Sequence, residues 1–386
     1  MKFKKVFLSS VLAVIIIMRV FSVRAYSASE QSEMHGVWIP YMSLTLSESE
    51  RTEKGFQAKI NEMAEKCAKY NINTAVIQVR PFSDAIYPSE IFPYSHIITG
   101  TQGIAPDFNP LEYIIKKFHE KNIAVHAWVN PLRVSTGQTP SYIAESNPAK
   151  KYPTFTYKDG IYYDVSYPEV RKLIIDGIAE IVKNYDIDGV QLDDYFYPSE
   201  DLDYDKKSYD NYAKSVKSDF IPVSHGEWRK ANINMLVEGI YSKIHSLKNN
   251  VVFGISPQCN FDNNEKIGAD VKVWCSQKGY IDYICPQIYV SNNHPTFPFN
   301  TLADRWKATV TNSDIKLYMG LGIYKAGSDA DSGTWLLSDD NIKKQIEYTR
   351  DINTDGFMLY SYDYLESELA EKEIKNAVAV YKRVEQ

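Results

Sequence analysis

Asp-Ile-Asp-Gly-Val-Gln-Leu-Asp-Asp-Tyr-Phe-Tyr-Pro, at residues 186–198, carries a short apolar strand straight into two adjacent carboxylates and then into aromatics. Hydrophobic strands that end in acids belong to parallel sheets whose carboxyl edge carries chemistry. The aromatics that follow suit a flat, hydroxylated partner such as a sugar ring.

The same unit recurs on both sides of this stretch. A helix of 3.6-residue period leads into a short Asn/Asp/Gly turn, an apolar strand, and a polar or aromatic tip. Leu111, Ile114, Ile115 and Phe118 line one helical face, and Ile233, Leu236, Val237, Ile240, Ile244 and Leu247 line the strongest. Strands are predicted at 35–39, 74–79, 124–129, 189–192, 251–256, 283–287, 316–320 and 356–360. Most connections are long enough for a helix, and right-handed crossovers are the rule. Eight such units predict an α/β fold, a (β/α)8 TIM barrel occupying residues 30–386 as a single domain. The connection at 257–281 is the least regular. Three loops, at 80–109, 130–168 and 195–227, exceed what a minimal barrel needs. All three follow strands, so they are expected to wall a groove on the C-terminal face.

Residues 1–25 read as a secretory signal peptide rather than as part of the fold. Lys2, Lys4 and Lys5 make a basic start, an apolar run follows from Val6 to Met18, and Ala25 suits cleavage. Arg19 breaks the run, which is short of the ~20 residues a spanning helix needs; an uncleaved anchor is the alternative. Either way the expected location is extracytoplasmic, secreted or wall-associated. The net charge of −6 and the lack of a basic block argue against nucleic acid. Cys67, Cys259, Cys275 and Cys285 have no zinc-like spacing. They are expected to be buried thiols, although Cys259–Cys275 and Cys275–Cys285 disulfides are conceivable in an oxidising compartment.

Strand alternation predicts which side chains face the barrel mouth, because adjacent residues point to opposite faces. It aims Gly36 and Trp38, Gln78 and Arg80, His126, Trp128 and Asn130, Gln191 and Asp193 inward. From the later strands it adds Gly254, Ser256 and Gln258, then Cys285, Gln287 and Tyr289, then Met358, Tyr360 and Tyr362. So many polar groups would be costly without partners, which points to a wet, ligand-binding mouth. Asp193 and Asp194 are the catalytic candidates, with loop capping or pairing to Arg80 or Arg133 as the structural alternative for Asp194. Glycosidic cleavage needs one protonated and one ionised carboxyl group, and neighbouring carboxylates split their pKa values. No His-Glu-x-x-His, Gly-x-Ser-x-Gly or phosphate-loop motif is present. His126 has no second His at ligand spacing, and the Asp262-Asn263-Asn264-Glu265 run lacks EF-hand spacing. Neither a metal nor a cofactor is expected.

Several stretches together resemble the glycosyl-hydrolase-like family 10, the former DUF187 group of bacterial envelope proteins. They are His35-Gly36-Val37-Trp38, Gln78-Val79-Arg80-Pro81, His126-Ala127-Trp128-Val129-Asn130-Pro131, Asp188 to Pro198, Trp228 to Asn234, Cys285-Pro286-Gln287-Ile288-Tyr289 and Gly356-Phe357-Met358. The resemblance implies a TIM barrel with glycoside hydrolase activity on a bacterial envelope glycan, such as peptidoglycan strands stripped of peptide. It implies site status for Asp193, Asp194, Arg80, His126, Asn130, Gln287 and Tyr289. A looser likeness to chitinase-type barrels of glycoside hydrolase family 18 runs through Asp188, Gly189, Gln191, Asp193 and Tyr195. There Tyr195 stands where that family has its proton-donating Glu, and Tyr360 where it has Trp. The acid must then come from Asp194, Asp363 or Glu227.

The expectation is a secreted glycosidase acting on an N-acetylhexosamine polymer. Asp193 and Asp194 would do the chemistry. Arg80, Asn130 and Gln287 would position substituents, and Trp128, Tyr289 and Tyr360 would stack on rings; His126, Gln191, Gln258 and Tyr362 complete the binding set. A non-catalytic glycan-binding barrel for wall or spore assembly is the alternative, motivated by the missing Glu.

Overall fold

A computed structural model describes residues 33–381; the leader expected at 1–25 lies outside them. Eight parallel strand positions close into a ring. They are β1 (Met34–Ile39), β2 (Thr74–Arg80), β3 (Ala124–Val129), β4 (Gly189–Leu192) and β5 (Val252–Ile255). Then come β6 in two pieces (Tyr283–Ile284 and Gln287–Ile288), β7 (Lys316–Leu321) and β8 (Gly356–Leu359). Pro286 interrupts β6, as a residue without an N–H must; both pieces still pair with β7. Pairing of β8 with β1 closes the barrel.

Eight helices coat the ring: α1 (Glu53–Lys69), α2 (Pro110–Glu120), α3 (Pro168–Asn184), α4 (His225–Leu247), α5 (Val271–Ser276), α6 (Phe299–Thr309), α7 (Asn341–Asp351) and α8 (Glu371–Tyr381). Their starts are written in the sequence. Asn109 caps α2 through the Glu112 N–H with Pro110 in the first turn, and Ser224 caps α4 through the Glu227 N–H. The stripe Leu111, Ile114, Ile115 and Phe118 is buried as its period requires. Between β5 and β6 the helices are only one to two turns long, which is why that connection looked irregular.

Apolar residues form two clusters, one between strands and helices and a smaller one inside the ring. The inner cluster holds Trp38, Val76, Trp128, Tyr283, Cys285, Tyr318 and Met358. Such large rings fit because glycines face them. A Cβ at Gly254 would lie 2.1 Å from the Tyr283 ring, and one at Gly189 would lie 2.7 Å from the His126 ring.

At the amino-terminal end one device repeats four times. Asn73, Asp188, Asp282 and Asp355 each precede an even-numbered strand. Each side chain accepts from the backbone N–H near the start of the preceding odd-numbered strand: His35 (2.9 Å), Val125 (2.7 Å), Phe253 (2.6 Å) and Leu317 (2.9 Å). The backbone returns the bond each time, from residues 73, 188, 282 and 355 to the same four carbonyls. These clamps tie the strands in pairs and leave the opposite end to chemistry.

There the long loops carry structure of their own. The loop at 130–168 holds a three-stranded antiparallel sheet (Arg133–Ser135, Thr154–Tyr157 and Gly160–Tyr163), which sequence patterning did not predict. The loop at 195–227 holds a helix, Lys206–Ser215. All four cysteines are free thiols; three are buried and Cys259 is half-buried. Among the described residues no helix is long and apolar enough to cross a membrane.

Candidate active site

A cavity of about 380 Å³ opens at the carboxyl end of the strands. Its floor is built on β4. The strand ends at Leu192, and the next two residues are the carboxylates. Asp193 is 3% exposed. Its Oδ1 accepts from the Tyr195 N–H at 3.1 Å, and its Oδ2 from Trp128 Nε1 at 3.0 Å and from Asn130 Nδ2. A carboxylate only accepts, so it fixes the way the Asn130 amide faces. Asn130 Oδ1 then takes Arg133 Nη2 at 3.0 Å and Gln78 Nε2, and Gln78 Oε1 takes the Tyr41 N–H at 2.8 Å. Donors run in one direction, from β1 through β2 and β3, and end on Asp193.

Asp194, half-buried, accepts from Gln287 Nε2 at 3.0 Å, and Gln287 is steadied by the Ser256 carbonyl at 3.0 Å. Burial pushes the Asp193 carboxyl up, the Asp194 charge pushes the same way, and Arg133 with the Tyr195 N–H and Trp128 pulls it down. Burial raises Asp194 too, against hydrogen bonds from Gln287 and Gln258. Two adjacent acids in such a place do not both ionise cheaply, so one proton is retained by the pair toward neutral pH.

Aromatics make the walls. Tyr289 and Tyr360 stack at 5.3 Å, and Tyr324 meets both edge-on at 5.8 and 5.9 Å. Across the cavity Tyr195 is 49% exposed, with the Arg133 guanidinium 5.3 Å from its ring. The cavity therefore offers hydroxyls, amides and ring faces above two acids, a chemistry suited to holding a sugar across a carboxylate pair.

Of the residues expected at the site, Asp193, Asp194, Trp128, Gln287, Tyr289 and Tyr360 line this cavity. Asn130 stands behind Asp193 as its donor. Gln258 lies beside Asp194 and accepts from Asn263 Nδ2 at 3.1 Å. Four others lie elsewhere. Arg80 points outward, because a bulge between Gln78 and Arg80 reverses the alternation. Its guanidinium lies 4.3 Å from the Phe92 ring and packs on Gly177 of α3. Tyr362 also faces the outer layer, under Lys66 of α1 at 4.8 Å, because β8 ends at Leu359 and a 3-10 turn begins at Tyr362. His126 and Gln191 do point inward but sit a layer too deep. His126 Nδ1 meets Tyr283 Oη at 2.9 Å, and burial drives its pKa down to about 4. Gln191 bridges Trp38 Nε1 (2.5 Å) and Tyr283 Oη (3.2 Å). Both hold the barrel interior together beneath the site.

Of the other carboxyl candidates, Glu227 pairs with Lys230 at 2.6 Å on α4, and Asp363 accepts from Ser43 Oγ at 2.7 Å. Tyr41, Met42 and Tyr324 line the cavity but were not expected. They sit two to three residues past the tips of β1 and β7, where alternation has lapsed; position just beyond a strand tip was the only signal. Among the described residues no three His, Cys, Asp or Glu side chains gather as a metal site would need.

Comparison with known proteins bears on this geometry. The family model described as Glycosyl hydrolase-like 10 matches residues 33–335. Glycosyl hydrolase DigH of Escherichia coli K12 is 30% identical over 383 residues, covering 88% of this chain and 85% of its own. Glycosyl hydrolase YngK of Bacillus subtilis is 34% identical over 332 residues, covering 79% of this chain. The match spans only 63% of the Bacillus protein's length. Among solved structures, the PgaB (BpsB) glycoside hydrolase domain from Bordetella bronchiseptica superimposes with a TM-score of 0.59 at 12% identity, covering 90% of this chain and 98% of that one. An endo-1,4-beta-mannanase from Rhizomucor miehei gives 0.56 at 9% identity, covering 91% and 95%. At these identities the likeness is one of fold.

Proposed function

Since the chain belongs to the glycosyl hydrolase-like 10 family, we propose that it is an extracytoplasmic glycoside hydrolase acting on a bacterial envelope glycan. The substrate proposed is an N-acetylhexosamine polymer in the form of peptide-stripped peptidoglycan strands. The observation that carries this reading is the pair Asp193–Asp194 on the floor of a tyrosine-walled cavity at the strand tips. The leader pattern at residues 1–25 supports the location outside the cytoplasm.

In this reading the two acids divide the work by their partners. Three donors converge on Asp193, and donors favour the charged form. Burial pushes the Asp193 carboxyl up to about 7. Against that, these donors and the nearby Arg133 charge favour its anion, so Asp193 is assigned the ionised role, in which it attacks the anomeric carbon, activates water, or steadies the oxocarbenium-like transition state. Asp194 receives Gln287 on one oxygen and keeps the pair's proton on the other, from which it protonates the leaving glycosidic oxygen. Tyr289 and Tyr360 give the sugar a face to lie on.

The test is product length. Purified protein is incubated with peptide-free glycan strands and the products are sized. Shorter chains from the wild type, and none from Asp193→Asn that still binds the strands, support the proposal. Binding without shortened products across pH would replace it with a non-catalytic glycan-binding role.

A further inference from the structure

We propose that Arg133 reads a carboxylate on the bound sugar, which makes the substrate an acidic glycan. This rests on the glycosidase reading above. Arg133 is the one basic side chain among the residues lining the cavity. Its Nε donates to the Pro81 carbonyl at 3.1 Å and its Nη2 to Asn130 Oδ1 at 3.0 Å. The rings of Phe82 and Tyr195, 4.7 and 5.3 Å from its central carbon, add cation–π contacts that steady it. A guanidinium has five N–H donors. Those on Nη1 and the second on Nη2 have no hydrogen-bond partner among the described residues. Asp193 and Asp194 are held by other donors, and neither forms an ion pair with Arg133.

A fork anchored at one edge and open at the other is the arrangement that receives a carboxylate. The charges of the lining agree with this. Its ionisable acids and bases are Asp193, Asp194 and Arg133. With one proton on the acid pair they sum to zero, so a sugar carboxylate aimed at Arg133 meets no net repulsion. A neutral sugar could offer the guanidinium hydroxyl or amide oxygens, but not the opposite charge or the two parallel acceptors that match its open edge. Two sources share the required chemistry: the lactyl ether carboxylate of a hexosamine, exposed once peptide is removed, and the ring carboxylate of a hexuronic acid.

The experiment compares strands with free lactyl carboxylates against the same strands converted to methylamides, with an oligouronate as a further arm. The wild type is expected to favour the free acid in kcat/KM by about tenfold or more. Arg133→Gln should bring that ratio close to one, and Arg133→Lys should restore part of it. A wild-type ratio near one, or a ratio that survives Arg133→Gln, overturns the proposal. The same ratio is read as binding to Asp193→Asn. If the wild type cuts no strand, the glycosidase reading fails, while the binding ratio still decides the role of Arg133. Preference for the oligouronate over the lactyl strands would assign the carboxylate to a uronic acid. Should Arg133→Gln not fold, Arg133→Lys carries the test: a ratio lowered partway toward one supports the proposal, and an unchanged ratio overturns it.

Discussion

Asp194 is the side chain whose protonation the proposed chemistry most needs. Its carboxyl is raised by burial, so it holds its proton to higher pH than an exposed acid, and activity should be lost as pH rises through that raised value. Asp194→Asn is expected to remove this alkaline limb and cut kcat by about 100-fold or more; a pH–rate profile on the unactivated glycan checks it, and a substrate with a good leaving group, which needs no acid, should recover most of the lost rate. Arg80 gives a contrary case. It lies outside the barrel wall, so Arg80→Met should leave KM unchanged, measured on the same substrate. Alternation in the sequence was enough to aim Asp193, Trp128, Gln287 and Tyr289 at the mouth, because β3 and β4 are regular to their ends and β6 keeps its register with β7 across the break at Pro286. It failed at Arg80, where one bulged residue flips every later side chain, and at Tyr362, where pleating had ended. It also says nothing about depth. His126 is two residues below Trp128, roughly 6–7 Å nearer the barrel's other end at ~3.3 Å per residue, and at that depth a histidine bonds to Tyr283 rather than to a ligand.

Among the elements, the four amino-terminal clamps are expected to hold register. Asp282 accepts the Phe253 N–H and lies 3.0 Å from His245 Nε2. Asp282→Ala should therefore lower stability by about 1.5–3 kcal/mol, read as a lower urea midpoint at unchanged slope. The pair His119–Asp188 at 2.8 Å adds a pH signature. The Asp188 hydrogen bond raises the His119 pKa against the opposing effect of burial. Its contribution is thus full below the unfolded value of about 6.5 and is lost as pH rises through the higher folded value. His119→Gln should cost more stability at pH 6 than at pH 9, by denaturant titration at both. The helices were legible from their apolar periods, and α1, α2, α4 and α5 also begin on a side-chain cap. The small sheet at Arg133–Tyr163 was not. Its hairpin turns at Lys158-Asp159 with Lys158 at φ 50°, a left-handed position usually given to Gly or Asn, and its strands are only three or four residues long.

For the whole molecule, a closed ring with bulky interior side chains leaves little tolerance under the site. Gly254→Ala would drive a methyl group into the Tyr283 ring. A melting-temperature loss corresponding to about 1–3 kcal/mol or more is expected, with reduced turnover, since Tyr283 supports Gln191 and Trp38 below the floor. The barrel was readable from the count of eight strand–helix units. The polar layer beneath the cavity was not, because inward-facing Gln and His look alike whether they meet ligand or one another. The most direct test of the central claim is a crystal structure of Asp193→Asn bound to a peptide-free oligosaccharide. The sugar should lie in the tyrosine-walled cavity with a glycosidic oxygen within hydrogen-bonding reach of Asp194 and the anomeric carbon facing residue 193. A sugar bound elsewhere, or a residue 193 side chain turned into the helical layer, would contradict it.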